Sequence, residues 1–540
     1  MAHEYLPVPD AGTSQPEREL PRSRQPVMTG APPCPARNIE PSCGNFDPTP
    51  RPDDRDDQPR ADAMSQQRDH WSSNAGLVLA ATGSAIGLGN LWKFPFITWE
   101  NNGGAFVLVY LICIAAVGLP IMLAELLIGR RSQKSAVGAL KEAVTSKWPG
   151  GRKLGALVGG WGVLAGFILL SYYTVIAGWS LYYFTQTVGW TLGGYPADMS
   201  AGDLFNSQAL NTGLQLLLSL GFSLGTIAVV YFGVSKGIER IARIFLPILF
   251  GILLLMLVSA LGMSGAGEAL NHIFRPNFAE LERGAILEAL GHSFFTLSLG
   301  MGAMITYGSY ISRKHSVVKA SGAIVALDTL IALVATVVMF SVIFSVAGMR
   351  DEVGGSTVGM LFISLPQLFY SEVPFGVVLG PLFYVLVALA ALTSTISLLE
   401  VVSAYLIDER RLTRHKATIS AGAAIFAFTT LAVLSIPGLL GVEGGGLLST
   451  MSVPFFGGGK VGWFANADHF VSNWMLPTGG FFITLAAGWF MTREATRGEL
   501  EDGTQPRWFH YGAWRFFIRF VAPIAVAAII IAVLFGVDFS

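Results

Sequence analysis

Apolar runs of about twenty residues, the length that crosses a bilayer as a helix, recur eleven times between Ala75 and Phe535. They fall at 75–98, 103–128, 155–187, 208–232, 237–262, 285–312, 319–348, 376–407, 416–437, 470–492 and 514–536. A chain of 540 residues that is 52% hydrophobic and only 13% charged cannot hide those runs in one water-soluble core. Lipid is therefore the solvent for much of it. The runs are long and do not alternate, which excludes a β-barrel and leaves a bundle of spanning helices whose backbone groups are satisfied internally.

Net charge is near zero, but the cations are unevenly placed. Arg130, Arg131, Lys134, Lys141, Lys147, Arg152 and Lys153 share one loop, and Lys236, Arg240 and Arg243 lie at a later boundary. Arg313, Lys314 and Lys319, then Arg410, Arg411, Arg414 and Lys416, then Arg493, Arg497 and Arg507 follow at alternate boundaries. The opposite loops offer little beyond Arg275, Arg283, Arg350 and Lys460. By the positive-inside rule the N-terminus is cytoplasmic, and an odd number of spans puts the C-terminus outside. Cys34, Cys43 and Cys113 are too few and too scattered for a disulfide framework or a metal cluster. Residues 1–67, rich in Pro, Arg and Asp, read as a disordered cytoplasmic tail, or as an upstream extension with Met64 the true start. Residues 68–540 form the eleven-helix domain.

Glycine interrupts the apolar pattern at two related places. Gly83 to Asn90, GSAIGLGN, lies inside the first run, and Ser298 to Gly302, SLGMG, inside the sixth. Irregular backbone at membrane depth is tolerated only where it is buried in protein or lines a cavity. Corresponding interruptions in two sets of five spans predict an inverted repeat with a binding site near the midplane. Small residues serving close helix packing explain single glycines, and the paired positions less well.

At these residues the chain resembles the neurotransmitter:sodium symporter family. The resemblance is carried by RDHW (Arg68 to Trp71), GSAIGLGNLWKFP (Gly83 to Pro95), ENNGGAFVLVY (Glu100 to Tyr110) and GLPIMLAELLIGR (Gly118 to Arg130). It continues through SYY (Ser171 to Tyr173), FFTLSLGMGAMITYGSY (Phe294 to Tyr310) and ALTSTISLLE (Ala391 to Glu400), so that about 450 residues are covered. It implies the LeuT fold, an all-α membrane protein of two inverted five-helix repeats plus an eleventh transmembrane helix. The short stretch from Val188 to Ser207 points to a prokaryotic member, in the cell (inner) membrane.

The resemblance also implies a site. A substrate carboxylate would meet the backbone amides of Leu88 and Gly89, where a half-helix N-terminus favours an anion, and the hydroxyl of Tyr173. Sodium site 1 would comprise the Ala85 carbonyl, Asn90, Thr296, Asp328 and the substrate carboxylate; that shared ligand would couple ion to substrate. Sodium site 2 would use the carbonyls of Gly83, Ile86 and Ala390 with the hydroxyls of Thr393 and Ser394. Gly87 stands where amine-carrying relatives have an aspartate. The remaining wall would be Leu169, Phe295, Ser298, Met301 and Leu398, mostly apolar, with Met301 adaptable in shape. Two pairs would act as gates: Arg68 with Asp408 inside, near Trp71 and Tyr310, and Lys93 with Asp468 outside. Lysine cannot make the planar fork that arginine makes at that position in relatives, which predicts a weaker outer latch.

The expected function is sodium-coupled uptake of a small neutral, hydrophobic L-amino acid by alternating access. Two Na+ ions are expected and chloride is not required, because Ala332 replaces an anion-holding serine of relatives and Asp328 a neutral asparagine. His292, in the sixth span, is an intramembrane ionisable group and so a candidate for function. Expected partners are the amino acid and lipid, not nucleic acid. A sensor that binds an amino acid without transporting it is the rival on the same fold. No nucleophile–base set or phosphate-binding loop supports an enzyme.

Overall fold

A computed structural model describes residues 69–196, 198–282, 284–346, 359–371, 373–441, 446–453, 458–501 and 505–538. The expectations for residues 1–67, for Met64 and for Arg68 lie outside the described residues.

The first span is α1 (Asn74–Ala85) and α2 (Gly89–Glu100), joined at an angle of 55°. Then come α3 (Gly104–Ser132), the short α4 (Ala136–Thr145), α5 (Pro149–Gly193), α6 (Ala201–Ala209), α7 (Thr212–Tyr231) and α8 (Val234–Leu261). The second half follows α9 (Ala266–Phe274) and opens with α10 (Ala285–Thr296) and α11 (Ala303–Gly308). These are again half-helices, each too short to cross a bilayer alone. Next are α12 (Val317–Ser345), α13 (Met360–Ser371), α14 (Gly376–Arg410), α15 (Arg414–Leu434) and α16 (Trp463–Phe490), which turns by 105° into α17 (Arg493–Leu500). α18 (Tyr511–Leu534) completes the chain. Among the described residues, five spans, a matching five that also begin with a broken helix, and one more make the two repeats and the eleventh helix of the LeuT fold.

Proline shapes the spans in a regular way. Wide π-helical turns occupy Gly89–Lys93, Ile114–Gly118, Met360–Ser364, Phe470–Met475 and Phe517–Val521. Two residues after each stands Pro95, Pro120, Pro366, Pro477 or Pro523. A proline has no N–H to donate and its ring pushes the carbonyl one turn back, so the ladder there widens instead of breaking. Several ionisable groups buried among the helices are paired: Glu400 with Arg414 at 2.8 Å and with Tyr310, and Glu239 with Arg243 and the Ser72 hydroxyl. Such pairing is required where charge leaves water. α1 sits innermost, against α8, α12 and α14, while α5 and α14 pack along each other at the back of the site.

Candidate functional site

The break in the first span begins at Ile86, whose backbone is extended (φ −71°, ψ 108°) and so cannot continue α1. Its carbonyl, released from the ladder, accepts long hydrogen bonds from the Thr393 hydroxyl at 3.5 Å and the Ser394 hydroxyl at 3.4 Å on α14. Thr393 also donates to the Ala390 carbonyl at 3.0 Å. A methyl group on Gly83 would lie 3.3 Å from the Thr393 Cβ. Gly83, Ile86, Ala390, Thr393 and Ser394 thus meet in space, and their carbonyl and hydroxyl oxygens are hard donors suited to an alkali cation.

A second cluster forms across three spans. Asp328 on α12 is fully buried. Its carboxylate accepts from the Asn90 amide at 2.7 Å and from the Thr296 hydroxyl at 3.1 Å. The Asn90 side-chain oxygen takes the Gly87 N–H at 3.0 Å, tying the break to the cluster. Among the described residues no cation partner of Asp328 is present. A buried carboxylate surrounded by neutral donors has a strong demand for positive charge. Ala332, one turn along α12, is buried and brings no hydroxyl.

The other break holds three residues at positive φ: Ser298 at 53°, Gly300 at 83° and Gly302 at 76°. The Gly300 N–H donates to Glu125 of α3 at 2.8 Å, and the Ser298 hydroxyl to the Ser84 carbonyl of α1 at 3.0 Å. Each broken segment is therefore held by groups from outside its own helix.

Between the breaks lies a cavity of about 30 Å³, enough for about a single water. Gly87, Leu88, Gly89, Leu169, Tyr173, Phe295, Ser298, Met301 and Leu398 all line it, together with Ala85, Thr296 and Ser394. The Leu88 N–H donates to the Tyr173 hydroxyl at 3.1 Å. A side chain on Gly87 would begin 2.6 Å from the Ser394 hydroxyl oxygen and 3.1 Å from that of Tyr173, so this wall has no room for an aspartate.

Sequence reasoning missed Ser84 and Ser397, which also line the cavity. Ser397 lies one turn beyond Ser394, and its hydroxyl donates to the Ser394 carbonyl at 2.8 Å, so helical spacing was the available signal. Glu125, a lone carboxyl in GLPIMLAELLIGR, was missed as well, although an acid within a span is itself a signal.

The gate residues are arranged differently from the expectation on the outer side. Asp468 accepts from the Tyr172 hydroxyl at 2.8 Å and from Ser472 at 3.3 Å, while the Lys93 ammonium lies 5.1 Å from the centre of the Phe295 ring. The Lys93–Asp468 pair is not closed. The ammonium has a cation–π partner within reach, and the phenol on α5 takes the carboxylate. On the inner side Asp408 accepts from the Ser135 N–H at 2.5 Å. Trp71 is seated there by its backbone N–H, which donates to the Tyr310 carbonyl at 3.1 Å, and its indole, which donates to the Tyr307 carbonyl at 3.0 Å. His292 packs its ring on Phe94 and Tyr110, with neither nitrogen hydrogen-bonded among the described residues.

The sequence profile of the Sodium:neurotransmitter symporter family matches residues 68–199 and 204–538. The chain is 35% identical to an uncharacterised sodium-dependent transporter, YhdH of Bacillus subtilis, over 86% of this chain and 97% of that one. It is 29% identical to an uncharacterised sodium-dependent transporter of Methanocaldococcus jannaschii, over 86% of this chain and 90% of that one. Among solved structures, MhsT in complex with L-phenylalanine superposes with a TM-score of 0.75 at 36% identity, covering 86% of this chain and 99% of that chain. The eleven spans, the two breaks and these matches lead to one conclusion: the chain belongs to the sodium:neurotransmitter symporter family, a family of transporters and not of enzymes.

Proposed function

We propose that this transporter carries a small neutral, hydrophobic L-amino acid inward together with two sodium ions, by alternating access, and without chloride. The observation that carries the reading is the single cavity between the two helix breaks, with the Asp328–Asn90–Thr296 cluster at one edge and the Ile86–Thr393–Ser394 cluster at another. The amide of Leu88 and the hydroxyl of Tyr173 suit a substrate carboxylate. The apolar wall of Leu169, Phe295, Met301 and Leu398 suits an uncharged side chain, since a charged one would be stripped of water without a partner. MhsT, bound to L-phenylalanine in its crystal structure, supports the same class of substrate.

Two sodium ions and a zwitterion bring two positive charges into a region of low dielectric, where uncompensated charge is expensive. The Asp328 carboxylate offsets one of them permanently, a role that a bound anion would otherwise fill. Sodium then raises substrate affinity and substrate raises sodium affinity by the same factor. The test is thermal unfolding of the purified protein with each of the twenty amino acids, in sodium or in potassium. A ligand that binds the folded state raises the midpoint by mass action. Stabilisation by hydrophobic amino acids in sodium alone is expected; equal stabilisation in potassium would contradict the coupling.

A further inference from the structure

Away from the transport path, three cations gather where α16, α18 and the loop between α4 and α5 meet. Arg515 and Arg519 lie one turn apart on α18. The Lys147 ammonium donates to the Trp489 carbonyl at 3.1 Å, and the Trp489 indole donates to the Arg519 carbonyl at 3.1 Å. The Arg519 guanidinium lies 4.0 Å from the centre of the Trp489 ring and 5.6 Å from that of Phe520. This approach depends on Gly488. A methyl group there would come within 3.1 Å of the Ile518 carbonyl oxygen and 3.2 Å of the Arg519 Cα.

What separates Arg515 and Arg519 from the buried or half-buried cations Arg130, Lys141 and Arg414 is the lack of an ion-pair partner; among the described residues exposed cations such as Lys236 and Arg240 also have none. Arg130 pairs with Glu499, Lys141 with Glu409, Arg243 with Glu239 and Arg414 with Glu400. Among the described residues Lys147, Arg515 and Arg519 form no ion pair, and the Arg519 Nε is buried without a hydrogen-bond partner. Among the described residues Arg515 donates only to the hydroxyls of Thr496 at 3.3 Å and Tyr511 at 3.2 Å. Some loss of hydration, then the two guanidiniums, push the exposed Lys147 ammonium below its ordinary pKa, and Glu494 opposes them. An arginine two turns inside a spanning helix needs an acceptor. Phe516 and Phe520, each one residue past an arginine on α18, and Ile524, a further turn along, are exposed in an apolar lane that runs on past the charges. Cations at the foot of an apolar lane complement a molecule with an anionic head and a hydrocarbon tail.

We propose that Lys147, Arg515 and Arg519 hold the phosphate headgroup of an anionic phospholipid, whose acyl chain lies along Phe516, Phe520 and Ile524. The guanidinium fork matches phosphate oxygens in pairs, and Lys147 closes the site from the loop. Trp489, exposed beside them, marks the level at which headgroups lie.

The experiment uses the full chain, purified in neutral detergent, with thermal unfolding followed as lipid is added. The additions are phosphatidylglycerol, phosphatidylcholine with the same acyl chains, and glycerol 3-phosphate, which has the phosphate but no chain. Phosphatidylglycerol alone is expected to raise the midpoint. The concentration giving half the effect should rise about fivefold in Lys147→Gln and about fivefold in Arg519→Gln, as for one cation near a lipid surface. It should be unchanged in Lys236→Gln, an exposed cation on α8. Lys147 is exposed, so its variant retains the fold and carries the test even where Arg519→Gln does not. An equal response to phosphatidylcholine, an undiminished response in Lys147→Gln, or an equal loss in Lys236→Gln would overturn the proposal. A response to glycerol 3-phosphate as strong as that to phosphatidylglycerol would overturn the lipid as occupant in favour of a free phosphate.

Discussion

Replacing Gly300 by alanine adds a single methyl group at the break between α10 and α11. The effect follows from three terms. The methyl carbon would stand 2.2 Å from the Leu476 carbonyl oxygen, 3.0 Å from its carbon and 3.1 Å from the Gly480 nitrogen. These are backbone atoms of α16, so the contact is relieved only by moving a helix or the break by about 1 Å. The φ of 83° adds about 1–2 kcal/mol for a residue with a Cβ. Any such movement strains the 2.8 Å bond from the Gly300 N–H to Glu125. Hydrogen bonds to a carboxylate are worth about 1.5–3 kcal/mol. Together the last two terms make about 2.5–5 kcal/mol, which at about 1.4 kcal/mol per decade lowers the population of the intact site by about sixtyfold to a few thousandfold. The assay is equilibrium binding of radiolabelled L-phenylalanine, or the best ligand of the thermal screen, in saturating sodium. Gly160→Ala is the control, because nothing lies within 4 Å of a methyl group there. Binding by Gly300→Ala within threefold of the wild type would refute the claim that this segment forms the site.

Tyr173→Phe removes the hydroxyl that accepts from the Leu88 amide; sodium-dependent binding should weaken at least about fivefold, for about 1 kcal/mol, and wild-type affinity would remove Tyr173 from the site. Asp328→Asn combined with Ala332→Ser should make uptake depend on chloride when chloride is exchanged for gluconate at fixed sodium; wild-type uptake that collapses in gluconate would contradict the proposed role of Asp328. Asp408→Ala should retain substrate affinity but slow transport about tenfold or more, because loss of the bond to the Ser135 amide biases the inner gate without touching the cavity; wild-type turnover would remove Asp408 from the gate.

Much of the architecture was legible because lipid imposes a simple rule. Each run long enough to span corresponds to a helix, and both glycine interruptions correspond to breaks, since backbone polar groups leave little freedom for anything else. Gly87, Leu88, Gly89, Ser298 and Met301 could be placed because the motifs that carry them, GSAIGLGN and SLGMG, are themselves the irregular segments, whereas Leu169, Tyr173, Phe295 and Leu398, on regular helix, were reached only through the family resemblance. Contacts set by tertiary competition were not legible. Lys93 and Asp468 are attractive partners by charge, yet a phenol from α5 and a ring from α10 reach them first. The wide turns before Pro95, Pro120, Pro366, Pro477 and Pro523 were not legible from proline alone, because Pro247 and Pro381 lie inside helices without such a turn. The bond between Glu125 and Gly300 joins residues 175 apart, and no local spacing marks it.

In the proposed coupling, sodium entry drives the amino acid through the cavity between the two breaks. It is tested most directly by reconstituting the protein in potassium-loaded proteoliposomes, diluting them into sodium, and following radiolabelled hydrophobic amino acid. Uptake is expected to overshoot its equilibrium level while the sodium gradient lasts and to collapse when an ionophore dissipates it. Saturable, sodium-dependent binding with no accumulation above equilibrium would contradict transport and identify a sensor built on the same fold.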